Sequence, residues 1–267
     1  MMEDGTDEGL RLGIIGGNGW IGGAIARAAV GAQLLPPENL TLSCRSTPPD
    51  WLPDAEWTHD NQALADRSDL IVLSVRPQDW PAIAVTAPGR LVVSVMAGVT
   101  LRDIAARLGT ERVIRALPNA AAEVCHSYTP WTATPQVTDA DRATVQSLLG
   151  SFGSGDEVAS EAEIDYMTGL SGTGPAYPAL LAVALTRDAV AHGLPAEVAR
   201  RSVTALLVGT GRLLEKNGED PEDTVAAFVD HRGVTAAAIE AMREAGFDAA
   251  VSAGLAAALE KSLALRA

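Results

Sequence analysis

Lysine is nearly absent from this chain of 267 residues: Lys216 and Lys261 are its two examples, against 34 acidic residues. Cysteine is as scarce, at two, histidine numbers four, and aromatics make up 4%. Each shortage excludes something. Cys44 and Cys125 cannot supply a disulfide framework, and neither forms a CxxC pair or a metal-like cluster. The formal net charge of −14 repels nucleic-acid backbones and anionic membrane surfaces alike, so no nucleic acid and no membrane is expected as a partner. No apolar run reaches the ~18 to 20 residues that cross a bilayer. Residues 1–8 are acidic and lack the basic start and apolar core of a secretory signal, so they read as a tail. A reducing cytoplasm is the simplest compartment for such a chain.

What is present is a globular composition, 47% hydrophobic and 20% charged, on a chain long enough for two domains. Up to about residue 155, short β-branched runs alternate with helical patterns, the mark of βαβ units and a parallel sheet. Residues 12–15, 40–43, 70–75, 91–95 and 113–116 read as strands, most of them continuously apolar, as a sheet covered on both faces requires. Residues 128–132 and 156–158 are candidate edge strands around a helix over 139–152. Beyond Gly174 the pattern becomes alanine- and leucine-rich at helical spacing, over 178–192, 197–216, 221–229, 235–245 and 247–265. The expected architecture is α/β: a doubly wound parallel sheet over residues 1–160, then an all-α domain over 161–267. Five alanine-rich helices have little sheet to cover, so part of their surface is expected to be buried in a second copy of the chain.

Gly17-Asn18-Gly19-Trp20-Ile21-Gly22 matches GxGxxG directly after the first strand and at the start of a helix over 20–30. In that context the first glycine permits the turn, the second lets backbone approach a pyrophosphate, and the third lets helix and strand pack closely. An NAD-selective site would place an acid at the end of the second strand. Here that position reads Ser43-Cys44-Arg45-Ser46. Arg45 can pair with a 2′-phosphate and Ser43 or Ser46 can donate to it, so NADPH is expected over NADH. The plainer alternative is that Arg45 is a solvated surface charge. Downstream, residues 170–177 read Leu-Ser-Gly-Thr-Gly-Pro-Ala-Tyr, a tight bend in which Ser171 and Thr173 can cap the helix that Pro175 starts.

In order along the chain, the glycine loop, Cys44-Arg45-Ser46, His59-Asp60-Asn61, the strand ending Ser74-Val75-Arg76-Pro77-Gln78, Ser94-Val95-Met96-Ala97-Gly98, Arg115-Ala116-Leu117-Pro118-Asn119 and the segment 168–177 resemble the pyrroline-5-carboxylate reductase family. The resemblance implies a Rossmann domain for NADPH and a helical domain that interlocks with a partner subunit in a homodimer or larger homo-oligomer. A small cyclic imine would be the substrate. It further implies that Asn61, Val75, Arg76, Pro77, Met96, Ala97 and Asn119 line the cofactor, with Arg76 in place of the family's lysine. Ser171, Gly172 and Gly174 would shape one wall of the substrate pocket.

The family's substrate loop, Ser-Pro-Gly-Gly-Thr-Thr, corresponds to Asp230-His231-Arg232-Gly233-Val234-Thr235. Thr235 is kept, and the resemblance makes it the hydrogen-bond partner of the imine nitrogen, a catalytic candidate beside Ser171. Asp230 is a departure, because a carboxylate beside a bound carboxylate is unfavourable unless Arg232 or protonated His231 compensates. The alternative is that all three point to solvent. Ala120-Ala121 and Cys125-His126 depart from the family as well. His126 and His192 read as structural, and Cys125 as a small packing residue. The expected reaction is hydride transfer to C5 of 1-pyrroline-5-carboxylate, giving proline. Another cyclic imine on the same fold and a non-catalytic NADP(H)-binding regulator stand as alternatives. A lysine-dependent hydroxyacid dehydrogenase is disfavoured, since both lysines lie late in helical stretches.

Overall fold

The computed structural model describes residues 9–217, 220–230 and 232–264. Strands and helices alternate through its first part: β1 (Leu12–Ile15), α1 (Trp20–Gly31), β2 (Leu40–Ser43), β3 (Glu56–Thr58), α2 (Asn61–Arg67), β4 (Leu70–Leu73), β5 (Leu91–Ser94), α3 (Leu101–Leu108) and β6 (Val113–Ala116). Then follow β7 (Ser127–Tyr128), β8 (Trp131–Ala133), α4 (Asp139–Ser151), β9 (Gly153–Ser154) and α5 (Glu161–Met167). Among the described residues the main sheet has the order β3-β2-β1-β4-β5-β6-β8, parallel except for the antiparallel β6–β8 edge. This is the doubly wound arrangement, whose sheet order reverses between β1 and β4.

The apolar runs sort by side-chain alternation onto two cores. Leu12, Ile14, Leu70 and Val72 pack with α1 and α4, while Ile15, Ile71, Leu73 and Val92 pack with α2 and α3. Both faces of the sheet are therefore dry, which is why its central strands read as continuous apolar runs rather than alternating ones. The helices are capped locally. Asp60 accepts the Gln62 and Ala63 amides ahead of α2, and Thr138 with Asp141 forms a reciprocal box at the start of α4.

Several expectations change in detail. The strands expected over 70–75 and 91–95 stop at Leu73 and Ser94, where the chain turns to build the mouth of a cleft. The candidate strand over 128–132 is divided into β7 and β8, with Pro130, which has no amide to donate, between them. Residues 156–158 form no strand; Glu157 makes an isolated bridge to Trp131, and the partner of β7 is β9. No side chain caps the helix after Pro175. The Ser171 hydroxyl instead donates to the Met167 carbonyl at 3.2 Å and the Thr173 hydroxyl to the Gly169 carbonyl at 2.7 Å, each within or just after a π-helical turn over Thr168–Gly172.

The chain divides into two compact units: the described parts of Met1–Thr173 and Ala258–Ala267, and Gly174–Ala257. The second holds α6 (Ala176–Ala191), α7 (Ala196–Asn217), α8 (Pro221–Asp230), α9 (Val234–Glu244) and the first part of α10 (Phe247–Ala264). Helix α5 belongs to the first unit, where it packs on β6 and β8. None of the described helices is long and apolar enough to cross a membrane.

Candidate functional site

A cleft of about 1030 Å³ opens at the carboxyl ends of the parallel strands. The residues after β1 form one side of it. Gly16 turns the chain with φ +89°, and a Cβ built there would lie 2.4 Å from the Ser74 carbonyl oxygen. That reassigns the turning role, expected of Gly17, to its neighbour. Gly17 is needed for another reason: its amide donates to the Ser43 carbonyl at 2.9 Å, and a Cβ would strike Leu42 at 2.7 Å. A Cβ at Gly22 would lie 2.5 Å from the Gly16 carbonyl oxygen, so this glycine sets the close approach of α1 to the loop. Gly19 precedes α1 with no side-chain cap, which leaves the first-turn amides available to an anion.

Of the residues expected to hold the cofactor, Asn18, Gly19, Trp20, Ile21, Ser43, Arg45, Ser46, Asn61, Val75, Arg76, Pro77, Met96 and Ala97 all line this cleft. Gly17 and Gly22 lie behind the lining. Asn119 also lies off it, because both ends of its amide are engaged elsewhere. Its Oδ1 accepts the Ala121 amide at 2.9 Å, and its Nδ2 donates to the Ser171 carbonyl at 3.0 Å. Ser43 is nearly sealed, and its hydroxyl donates to Asn61 Oδ1 at 2.7 Å; Ser46 is the hydroxyl left beside Arg45.

Arg45 is exposed, yet it is not a lone surface charge. Its two terminal nitrogens donate to the two carboxylate oxygens of Asp79 at 3.3 Å each, and Arg76 Nε donates to Asp79 Oδ2 at 3.0 Å. The bond from Arg76 holds the Asp79 carboxyl below the usual carboxylate range, and Arg45 adds to that pull. Asp79 was not legible as a site residue; the proline before it, which starts the short 3₁₀ turn Pro77–Ala82, was the one available signal. His59 also lines the cleft, with Nδ1 2.7 Å from the Cys44 carbonyl oxygen. Burial pushes the Cys44 thiol above its ordinary range, so it stays a neutral packing group.

Gly172 follows Ser171 and fits closely against Leu117, whose side chain would lie 3.2 Å from an added Cβ. Arg115 on β6, 2% exposed, bonds Glu161 at 2.6 Å and faces Asp165 at 3.5 Å, tying α5 to the sheet. In the second unit, Gly233 and Thr235 line a smaller hollow of about 270 Å³ with Ala227 and Phe228. Asp230 ends α8 and is exposed, Arg232 is exposed at φ +46°, and Val234 is 90% exposed at the start of α9. Gly174 opens this unit, and His231 lies outside the described residues. Cys125, expected to pack, is exposed at φ +56°, ending a 3₁₀ turn. His126 and His192 are exposed and bond nearby carbonyl groups, at Val124 and Asp188.

The cleft fits a nicotinamide dinucleotide. It offers a glycine cradle without Cβ atoms, a helix start with open amides, and two arginines at the rim.

Comparison with known proteins agrees with this geometry. Residues 161–265 match a family model described as pyrroline-5-carboxylate reductase dimerisation, and residues 11–98 match one described as NADP oxidoreductase, coenzyme F420-dependent. A pyrroline-5-carboxylate reductase of Synechocystis sp. is 30% identical over 260 residues, covering 95% of this chain and 97% of the relative. A solved pyrroline-5-carboxylate reductase of Coxiella burnetii superposes with a TM-score of 0.88 at 25% identity, covering 97% of this chain and 99% of that one. The Plasmodium falciparum enzyme, solved with NADP bound, shares the fold at a TM-score of 0.83 and 24% identity, over 97% of this chain and 99% of its own. With identity sustained across both units and a cleft of this construction, the chain belongs to the pyrroline-5-carboxylate reductase family.

Proposed function

We propose that this chain reduces 1-pyrroline-5-carboxylate to proline, with NADPH as the preferred cofactor, and works as a homodimer or a multiple of one. The observation that carries the reading is the cleft with a glycine turn on one side and Arg45 and Arg76 on its rim, in a chain of this family. The amides at the start of α1 would hold the pyrophosphate, and Arg45 and Ser46 would hold the 2′-phosphate. The Ser43–Asn61 bond stiffens the floor between them. Once bound, the nicotinamide would supply a hydride for the C=N carbon of the imine, whose nitrogen is already protonated or takes its proton from water, leaving the ring amine. The Thr235 hydroxyl hydrogen-bonds and orients the imine nitrogen, and the turn carrying Ser171, Gly172 and Gly174 shapes a wall of the substrate pocket. Positioning carries most of the rate in such a reaction, since no covalent bond to the protein is required.

Dimerisation is supported by the helices of the second unit, where Leu180, Leu206 and Val208 are each more than half exposed. The two free cysteines fit a reducing cytoplasm. Asp230 favours a variant of the reading, in which the imine lacks a carboxylate near α8. The test is NADPH consumption, followed by absorbance, with five- and six-membered cyclic imines with and without a carboxylate. Turnover is expected with 1-pyrroline-5-carboxylate above the others. Preference for an imine without a carboxylate selects the variant, and NADPH binding with no turnover of any imine selects a regulator.

A further inference from the structure

We infer that Asp79 is a specificity-determining residue of the cofactor cleft: an internal anion that occupies Arg45 and Arg76, and that a 2′-phosphate must displace from Arg45. The inference rests on the NADPH reading and extends it to a residue outside the nucleotide motifs. The end of β2 carries no acid, yet the turn after β4 brings one into the same cleft. Asp79 meets Arg45 with two bonds of 3.3 Å, at the long limit for such contacts, and meets Arg76 with one of 3.0 Å. The Arg45 side chain is 79% exposed and that of Asp79 is 23% exposed. Arg76 is exposed as well, at 65%, so the bond lengths decide: the longer-bonded Arg45 is the partner free to leave, while Arg76 at 3.0 Å retains the carboxylate.

The charge balance gives the direction. Two guanidinium groups and one carboxylate leave a net of one positive charge, and the low carboxyl pKa keeps Asp79 ionised at neutral pH. An incoming phosphate must compete for Arg45 and lie near a like charge. A nucleotide with a free 2′-hydroxyl meets no such competition. Asp79 therefore narrows the gap between phosphorylated and unphosphorylated cofactors that Arg45 creates.

The test is calorimetric titration of the unliganded protein with 2′,5′-ADP and with 5′-AMP. The wild type is compared with Asp79→Asn, Asp79→Ser and Arg45→Ala, with thermal melting to confirm that each is folded. Both Asp79 variants are expected to bind 2′,5′-ADP about fivefold or more tightly, the scale of removing one nearby like charge at a wet surface, with 5′-AMP affinity unchanged. A merely structural role would move both ligands together. Tightening of neither ligand, or weaker binding of 2′,5′-ADP, overturns the inference while leaving the NADPH reading intact, provided Arg45→Ala weakens 2′,5′-ADP. If the wild type binds the two ligands equally and Arg45→Ala changes neither, the NADPH reading fails and the inference with it.

Discussion

Every residue of β1, β2, β4, β5 and β6 is buried, whereas α6, 16 residues long and mostly apolar, buries none. The two regions are similarly hydrophobic in sequence and opposite in outcome. Helices α1, α2, α3 and α4 cover both faces of the sheet, so its side chains are removed from water within one chain. In the helical unit, small alanine side chains let α6 and α7 approach each other, yet Leu180 remains 70% exposed and Val208 61%. One region completes its own core; the other leaves large apolar side chains exposed.

The sharpest way to break this contrast is to empty the finished core. Phe152 is fully buried beside α4, so Phe152→Ala is expected to lower unfolding free energy by about 3–5 kcal/mol, measured by denaturant titration. A loss below about 1 kcal/mol would mean that this core is not closed as described. The matching change in the helical unit is Leu180→Glu. It is expected to weaken self-association by on the order of a hundredfold, ~3 kcal/mol, as an unpaired charge in an apolar contact does. Sedimentation equilibrium reads this directly, and a wild type that is monomeric and active at micromolar concentration would erase the distinction between the regions.

A smaller effect is expected at Thr235. Thr235→Ala is expected to lower kcat/KM roughly tenfold, ~1.4 kcal/mol of transition-state hydrogen bonding, with NADPH affinity unchanged. Equal turnover by the variant would remove Thr235 from the chemistry. The smallest effect belongs to the ion pair at the foot of the sheet. Arg11 Nη2 and Nε bond Asp69 at 2.7 and 3.0 Å and hold its carboxyl below the ordinary range. A depressed carboxyl pKa stabilises the fold above the unfolded value, and this contribution disappears as pH falls through the folded value. Asp69→Asn should therefore be less stable than the wild type at neutral pH by no more than about 1 kcal/mol, as exposed pairs are. The gap should close on acidification and shrink in salt; a gap that widens in acid contradicts the sign.

The sheet was legible because β1, β4 and β5 are short, mostly apolar runs, and β2 and β6 each carry apolar residues around a single interior polar one. Glu56–Thr58 was not, since this edge strand is partly exposed and Trp57 has no apolar neighbour in sequence. The glycine loop announced the cleft, while the φ that turns it sits one residue earlier, at Gly16. Residue pattern singled out Arg45, which lines the cleft, and could not pair it with Asp79, because they lie 34 residues apart, in the segments after β2 and β4 that flank β1 in the sheet. The same limit applies at residues 171–173. Serine and threonine before a proline look like caps, but their hydroxyl direction depends on the π-helical turn, which no local spacing encodes.

Strand β6 and the residue Asn119 beyond it hold α5 and that turn at one point each. Arg115 holds Glu161 at the head of α5, Glu161 also accepts the Leu101 amide at 3.0 Å, and Asn119 past the strand's end holds the Ser171 carbonyl. In kinetic terms, residues 161–172 are expected to open together with the end of β6. Their amides should exchange with deuterium at the slow pace of the sheet, even though the segment is helical and stands at the threshold of the helical unit.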